Sequence, residues 1–342
     1  MLDKAEILVT GSPEVHILIP ARNSAEYIEH ALQSALAQSY EALKVIVYDD
    51  GSVDDTARIV RALSASAPGK VHLTVASYAR GVAFARNQLL EISDRVNSEA
   101  YFMWLDSDDY FINDRCVETV MSQMHRTKAE ICLFGFNIQW EKISDDMHLT
   151  AAVVLAEKAN HEKLLAIIED ASEQTVSIRT CPEILTGISA GWVYAYAARL
   201  RKQWPHPVEG ALYEDNPPMA ALLNVERITV VNQPLVNYRR RSGSATGQSI
   251  PDHFLVDRPK QLRRFMEHID LSDPLKARAA TDFVEAKLKR AGDMLDQLTQ
   301  ASHPGFDEDV RVEFNKLRKN LTADARRMAE DCNPRPPQTS SA

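Results

Sequence analysis

The sequence predicts an α/β fold in which helices flank a mostly parallel, Rossmann-like central sheet, followed by a helical C-terminal extension. Over the first 135 residues, short apolar segments rich in β-branched residues alternate with segments of helical periodicity, which is typical of βαβ units. Two of the predicted strands end in acidic clusters, and ligands of such sheets bind at the carboxyl ends of the strands. Residues 254–331 combine charge with helical periodicity, which predicts the extension.

Each element of the first half has its own signal. Apolar runs predict five strands, at residues 15–20, 43–48, 71–75, 100–105 and 131–136. Ser24 can cap the helix that follows the first strand, and Ser52 or Asp54 can cap the next helix. Helical periodicity then covers residues 82–92. Because helices separate the strands, we expect mostly parallel pairing.

The second half of the chain is less regular. Its predicted features are helices near 160–170 and at 217–224, an aromatic segment at 191–204 and a strand at 228–238. In the extension we expect two or three helices, with breaks at Pro274 and at residues 303–305. Residues 332–342 are expected to form a disordered tail.

Composition and charge exclude several classes of protein. The chain has 342 residues, 45% hydrophobic and 25% charged, which is the balance of a globular protein of about two domains. It has no apolar run of about 18 residues, as a membrane-spanning helix needs, and its acidic start lacks the pattern of a signal peptide. Four cysteines without C-x-x-C spacing argue against a zinc module or a disulfide framework and favour a reducing compartment. A net charge of −9 without a basic stripe argues against nucleic-acid binding.

The sharpest motif is the run Asp106-Ser107-Asp108-Asp109, which comes directly after the fourth predicted strand. Carboxylates crowded at a strand end repel one another unless a cation is present, and hard oxygen ligands suit Mg²⁺ or Mn²⁺. The alternative is a solvated acidic turn that caps the next helix. The buried strand before the run favours the functional interpretation, because unpaired carboxylates beside it cost stability.

Two further strand ends carry polar residues. The run Asp49-Asp50-Gly51-Ser52 ends the second strand, where an aspartate can accept hydrogen bonds from a base or a ribose. Arg22 and Asn23 follow the first strand. Each segment taken alone is best interpreted as a turn or a loop. Since parallel strands end at one edge of the sheet, their convergence with the acidic run favours a binding site.

Together these segments resemble the family 2 glycosyltransferases of GT-A fold. Five motifs carry the resemblance, in the order expected for that family, between about residues 14 and 247, roughly two thirds of the chain. The motifs are residues 19–28 with 34 and 38–40, residues 47–56, Gly81 with residues 85–87, residues 105–109, and residues 213–215 followed by 238–244.

The resemblance implies a nucleotide-sugar site at these positions. Asp50 would contact the base, usually uracil, and Pro20, Ala21 and Arg22 would line the same pocket. Arg22 stands where family members often have an aromatic residue that stacks on the base. Gly81 and Arg86 would lie near the diphosphate or the sugar, and the run of Asp106, Ser107 and Asp108 would be the family's DxD motif. Its two aspartates, Asp106 and Asp108, would hold the ribose and a bridging Mn²⁺ or Mg²⁺.

The resemblance also implies roles in the second half of the chain. Asp215 would be the general base, with Glu214 as its neighbour. His253 would complete the metal shell, with a simply exposed loop histidine as the alternative. Apart from the resemblance, aromatic faces bind sugars, so Trp192 is a candidate sugar platform, with the alternative that the aromatic residues around it belong to the core. The arginines at 239–241 could bind an anion or form a solvated cluster.

The implied function is metal-dependent, inverting transfer of a sugar from a nucleotide-sugar, most often a UDP-sugar, to an acceptor hydroxyl of a cell-surface polysaccharide or glycolipid. We expect a catalytic domain at 1–250, a helical extension at 251–331 and a cytoplasmic location, with peripheral membrane contact and homo-oligomerisation left open. One alternative is a nucleotide-sugar-binding module without turnover. A sugar-1-phosphate nucleotidyltransferase is disfavoured because residues 20–23 contain no glycine, and an oxidoreductase because no G-x-G-x-x-G follows the first strand.

Overall fold

The computed structural model contains a nine-stranded sheet with helices packed against it. The structure describes residues 12–141, 148–171, 174–181, 184–187, 193–203, 222–241, 258–267, 269, 272–300 and 308–331. In these ranges the strands run in the order β3-β2-β1-β4-β8-β6-β9-β5, and β7 pairs with β9. The α/β architecture predicted from the sequence is therefore confirmed.

Four parallel strands form the half of the sheet that carries the first motifs. Their bounds are β1 (Val15–Ala21), β2 (Leu43–Asp49), β3 (Val71–Val75) and β4 (Tyr101–Trp104). β1 lies between β2 and β4 and is buried along its whole length, as expected for a strand covered on both faces. Its last residue, Ala21, pairs with Asp49 at the end of β2, so the carboxyl ends of these strands form one edge.

Four amphipathic helices from the first half of the chain pack against the sheet. Their bounds are α1 (Ile28–Leu36), α2 (Thr56–Ser66), α3 (Val82–Val96) and α4 (Cys116–Thr127). In α1 the buried residues recur at helical spacing as Ile28, Ala31, Leu32 and Ala35, so one face packs on the sheet. α4 ends at Lys128, whose left-handed backbone (φ 53°) terminates the helix.

The other half of the sheet mixes parallel and antiparallel pairs. Its strands are β5 (Tyr110–Phe111), β6 (Ile131–Glu141), β7 (Thr175–Val176), β8 (Tyr194–Tyr196) and β9 (Ile228–Arg241). The long strands β6 and β9 pair in parallel, whereas β8 lies antiparallel between β4 and β6. β5 also pairs antiparallel with β9, so the far end of β9 lies beside the acidic run that precedes β5.

The remaining described elements are helical. They are α5 (His148–Glu169), α6 (Ile184–Gly187), a 3₁₀ helix (Ala198–Gln203), α7 (Arg258–Glu267), α8 (Pro274–Gln300) and α9 (Glu308–Asp331). α8 packs against α9 and also against α5 and α6, and Arg179 forms an ion pair with Asp273. The helices after residue 250 therefore pack on the α/β part. Within the described ranges, no helix combines the length and the apolar composition needed to span a bilayer.

Several predicted boundaries differ from the observed ones. The fifth predicted strand continues from residue 136 to Glu141, because β9 supplies backbone partners to a stretch that is not apolar. The helix predicted near 160–170 begins at His148. The sequence analysis placed no strand in the aromatic segment at 191–204, where β8 lies. Of the helix predicted at 217–224, residues 217–221 lie outside the described residues, as does the predicted tail at 332–342.

Candidate functional site

The carboxyl ends of β1, β2 and β4 bring three predicted segments together at one edge of the sheet. The loop after β1 contacts the loop after β2, since the backbone N–H of Asn23 donates to the Ser52 hydroxyl at 2.8 Å and the Asn23 amide oxygen accepts from Val53 at 3.0 Å. The same loop contacts the acidic run, since the hydroxyls of Ser24 and Ser107 are 2.7 Å apart. The three segments therefore form one connected unit.

Asp50 anchors a fourth segment to this edge. Its carboxylate is buried and accepts hydrogen bonds from the backbone N–H of Arg80 at 2.9 and 3.0 Å, and from that of Gly81 at 2.7 Å. Gly81 has a φ of 99° and directly precedes α3, so Asp50 fixes the start of that helix. A carboxylate has about four lone-pair sites, so it retains acceptor capacity for a ligand.

Asp54 reinforces the contact between the first two loops. One carboxylate oxygen accepts from the backbone N–H of Ala25 at 3.0 Å, and the other accepts from the backbone and the hydroxyl of Thr56. Burial acts to raise the pKa of Asp54, but these hydrogen bonds outweigh it and leave the pKa below its ordinary value. The Asp54 carboxylate thus holds the two loops in register at neutral pH.

An arginine on α3 reaches the first carboxylate of the acidic run. Arg86 is 7% exposed, and its guanidinium donates to the Asp106 carboxylate at 3.1 Å. It also lies over the Trp104 ring, 5.4 Å from the centroid. Arg86 and Asp106 thus meet at the predicted edge, and Arg86 follows the first turn of α3, whose N–H groups favour anions.

The last residue of the acidic run is the most strongly perturbed. Asp109 is fully buried, one oxygen accepts from the backbone N–H of Arg239 at 2.8 Å, and the other has no hydrogen-bond partner among the described residues. Burial raises the pKa of the Asp109 carboxyl well above its ordinary value, and the charges of Asp108 and Asp106 act in the same direction. The carboxylates of the run are therefore close enough to repel one another.

The donors of this run suit a hard divalent cation. Asp106 and Asp108 offer carboxylate oxygens, the ligands that Mg²⁺ and Mn²⁺ prefer. Within the part of the chain that the structure describes, no group of three or more Asp, Glu, His or Cys side chains is arranged to hold a metal by itself. Mg²⁺ is commonly held by one or two carboxylates together with substrate phosphates. The run therefore fits a cation that binds together with a diphosphate.

The other predicted nucleotide-pocket residues lie beside this edge. Pro20 and Ala21 are buried at the end of β1, and Arg22 is exposed just beyond them. Four predicted site residues lie outside the described residues, so the structure does not place them: Trp192, Glu214, Asp215 and His253.

For the residues that the structure describes, burial bears on two alternatives that the sequence left open. Tyr194 and Tyr196 are fully buried in β8, where the Tyr196 ring stacks on Phe102, so these aromatic residues belong to the core. Arg239 and Arg240 are also buried, which excludes a solvated cluster for these two arginines. The sequence analysis did not place Arg239 beside the acidic run. The contact between Arg239 and Asp109 joins residues 130 positions apart, so no local pattern could predict it. The basic run at 239–241 was the only sequence feature that pointed to Arg239.

Gly51 provides a test of the close packing at this edge. Its φ is 69°, and a Cβ atom there would lie 2.6 Å from the backbone carbon of Tyr78. We expect Gly51→Ala to lower the free energy of unfolding by about 3 kcal/mol, because left-handed strain and a backbone clash add. Gly69→Ala is the matched control, since Gly69 has φ 77° with nothing within 4 Å. Urea unfolding of both variants checks this, and equal losses would contradict the packing argument.

The contribution of Asp109 to folding stability should depend on pH with a sign opposite to that of most carboxylates. Its raised folded-state pKa means that the unfolded chain loses this proton first, so stability declines as pH rises from about 4. In EDTA, the melting temperature of Asp109→Asn relative to wild type should therefore increase with pH. Asp55, whose pKa is lowered by its hydrogen bond with Arg58, is the control: the stability difference between Asp55→Asn and wild type should stay constant above about pH 5 and shrink only as the pH falls below about 4. A pH-independent difference for Asp109→Asn would contradict this assignment.

Comparisons with known proteins agree on one family. Residues 16–179 match the family model described as Glycosyl transferase family 2. The chain is 28% identical over 166 residues to UDP-Glc:alpha-D-GlcNAc-diphosphoundecaprenol beta-1,3-glucosyltransferase WfaP of Escherichia coli, a match that covers 48% of this chain and 61% of WfaP. It is 39% identical over 102 residues to succinoglycan biosynthesis protein ExoU of Rhizobium meliloti (strain 1021), covering 30% of this chain and 28% of ExoU. The chain thus matches less than two thirds of the length of either relative.

The fold resembles that of a solved structure. The crystal structure of S. aureus TarS 1-349 in complex with UDP-GlcNAc superposes with a TM-score of 0.61 at 18% identity, covering 93% of this chain and 89% of that one. At this identity the likeness establishes the fold alone, and it extends past residue 179 into the second half of the chain. Residues 16–179 thus match glycosyl transferase family 2, within a chain whose fold is similar to the GT-A fold of TarS.

Proposed function

We propose that this protein is a metal-dependent, inverting glycosyltransferase. It would move a sugar from a nucleotide-sugar, most often a UDP-sugar, to an acceptor hydroxyl of a polysaccharide or glycolipid. The observation that carries the proposal is the convergence, at one edge of the sheet, of Asp50, the Arg86–Asp106 ion pair and the remaining carboxylates of the acidic run. WfaP is named as a UDP-Glc-dependent glucosyltransferase, and TarS was solved with UDP-GlcNAc, which supports a UDP-sugar donor.

In this proposal the described residues hold the donor. Pro20, Ala21 and Arg22 line the base pocket, and Asp50 accepts a hydrogen bond from the base while it holds the start of α3. Ser107 belongs to the same pocket through its contact with the loop after β1. Because the loops are cross-linked by hydrogen bonds, the pocket is largely ordered before the donor binds, which reduces the entropy lost on binding.

The diphosphate would lie between the start of α3 and the acidic run. Arg86 places a cation at this point, and the backbone N–H groups of the first turn of α3, which begins after Gly81, would bind phosphate oxygens. Asp106 and Asp108 would hold Mn²⁺ or Mg²⁺, with His253 as a further candidate ligand. When bound, the cation would neutralise the charge that develops on the departing nucleoside diphosphate.

The acceptor hydroxyl must lose its proton as it attacks the sugar. Asp215 is proposed as the general base, with Glu214 beside it in the sequence and Trp192 as a sugar platform. One base and direct displacement give inversion at the anomeric carbon, without the second carboxylate that a covalent intermediate would need. We also propose that residues 1–250 form the catalytic domain and that residues 251–331 form a helical extension packed on it.

The experiment that tests the proposal is a thermal-shift panel of UDP, GDP, CDP and TDP, each with Mn²⁺, Mg²⁺ or EDTA. A ligand at about 100 times its Kd stabilises the folded state by about 2.7 kcal/mol, which is readily measured. We expect stabilisation by UDP that requires Mn²⁺ or Mg²⁺. The absence of a shift with all four nucleotides would contradict the donor site.

The competing function is a binding module that has lost turnover. It would show the same UDP binding but no transfer or hydrolysis of UDP-sugars. Measurement of UDP release from UDP-glucose and UDP-GlcNAc separates the two functions. A rate that depends on Mn²⁺ or Mg²⁺ supports the enzyme, and its absence with a range of glycan acceptors would favour the module.

A further inference from the structure

We propose that Arg239 is a positioning residue that holds the acidic run in the conformation required for donor and cation binding. This inference rests on the proposed function, because it assigns a purpose to the geometry of Asp106 and Asp108. Arg239 lies near the end of β9, whose partner β5 begins directly after the run.

Arg239 holds the run through two separate hydrogen bonds. Its backbone N–H donates to the Asp109 carboxylate at 2.8 Å, and its guanidinium Nη1 donates to the backbone carbonyl of Asp108 at 2.9 Å. The second contact fixes the peptide unit from which the Asp108 side chain projects. The side chain of Arg239 thus acts on the backbone of the run and leaves the carboxylate of Asp108 to other partners.

The guanidinium also contacts two tyrosine rings, a histidine and a glutamate. The side chain of Arg239 is 6% exposed, and its guanidinium carbon lies 5.0 Å from the ring centroids of both Tyr27 and Tyr110. Nη2 is 3.1 Å from His30 Nδ1, and Nε is 3.0 Å from a Glu141 carboxylate oxygen. A planar fork between two rings suits arginine and not lysine, whose ammonium is a compact point charge.

The charge of Arg239 also opposes repulsion within the run. Asp106, Asp108 and Asp109 place three carboxylates within four consecutive residues, so like charges are crowded at this turn. Arg86 pairs with Asp106 at one end of the run, and Arg239 lies at the other end. The two arginines bracket the carboxylates, so the run is ordered before a cation arrives. Without Arg239, the run would lose conformational entropy only when the cation binds, so cation binding would be weaker.

Arg201 offers a matched control at the opposite end of β4. It is also a buried arginine, and it donates to the backbone carbonyls of Ser98 and Ala100 at 3.0 and 2.9 Å, before the strand begins. Arg201→Lys and Arg239→Lys therefore remove the same kind of contact from the two ends of one strand. Of the two variants, only Arg239→Lys would alter the conformation of the acidic run.

The test is a titration of Mn²⁺ at fixed UDP on the full chain, followed by thermal shift. Arg239→Lys should raise the Mn²⁺ concentration for half-maximal stabilisation by about tenfold, the usual effect of losing a residue that orients metal ligands. Arg201→Lys should lower the melting temperature without UDP but leave the Mn²⁺ midpoint within about twofold of wild type. Glu141→Gln, a milder change beside Nε, gives a second measurement in case Arg239→Lys does not fold, and it should raise the midpoint to a smaller extent.

The Mn²⁺ midpoints of these variants decide whether Arg239 positions the acidic run. An unchanged Mn²⁺ midpoint in Arg239→Lys, or an equal increase in Arg201→Lys, overturns it, because the arginine would then serve only stability. If Arg239→Lys does not fold, an unchanged midpoint in Glu141→Gln overturns it. Failure of the proposed function is recognised separately, since the wild-type chain itself would then show no Mn²⁺-dependent stabilisation by UDP.

Discussion

Asp215→Asn is expected to lower the rate of sugar transfer by about 10²–10⁴-fold, the range that general base catalysis contributes. The amide cannot take the proton of the acceptor hydroxyl, so the attack on the anomeric carbon slows. Binding of UDP with Mn²⁺ should stay within about twofold of wild type, because the base acts on the acceptor and not on the diphosphate. Steady-state transfer assays and the Mn²⁺–UDP thermal shift measure the two effects on the same protein.

The neighbouring carboxylate supplies the control. Glu214→Gln changes the adjacent side chain in the same chemical way, and we expect a smaller loss of rate. A larger loss in Glu214→Gln would move the general base to Glu214. Weakened UDP binding in Asp215→Asn would instead place Asp215 at the donor, and the proposed role would be wrong.

Asp108→Asn is expected to abolish the increase in UDP affinity that Mn²⁺ provides and to lower transfer by at least about 10²-fold. An amide oxygen is a weaker ligand than a carboxylate, and the side chain keeps nearly the same shape. The backbone carbonyl at 108 remains available to Arg239, so the loop should keep its fold. Isothermal titration of UDP with and without Mn²⁺ measures the change directly.

The control for Asp108→Asn removes a carboxylate from the helical extension, away from the acidic run. Asp293 lies on α8 and pairs only with the exposed Lys289 among the described contacts, so Asp293→Asn should leave UDP binding unchanged. If Asp108→Asn binds UDP with an intact Mn²⁺ dependence, the proposed cation site is wrong. Asp106 and Asp109 would then be the next carboxylates to test.

Much of the fold could be predicted because its strands carry a local signal. The runs at 15–20 and 43–48 are mostly apolar or β-branched and lie where β1 and β2 occur, since burial within a parallel sheet demands such residues. The end of β6 carries no such signal. Residues 137–141 are held by pairing with β9, which lies about a hundred residues later and is invisible to a local pattern.

In the candidate site, too, the positions of the motifs could be predicted from local sequence, but their long-range contacts could not. Asp50 and the acidic run are contiguous motifs, so their positions at strand ends could be predicted. Their individual partners could not: the Asp50 carboxylate binds the backbone of residues 80 and 81, and Asp109 binds the backbone of Arg239. Backbone donors carry no sequence signature, and these contacts depend on how distant segments pack. The roles of the individual site residues remain predictions.

The position of β8 has a consequence for the smallest piece of the chain that can fold. The segment matching the family model ends at residue 179, yet β4 and β6 are joined in the sheet only through residues 194–196 among the described strands. A fragment ending at 179 would leave one side of β4 unpaired and would remove both long-range partners of β6, namely β8 and β9, and the free N–H and C=O groups would favour aggregation. It would also lack Arg201, which caps the carbonyls before β4. The autonomous folding unit is therefore longer than the segment by which the family is recognised.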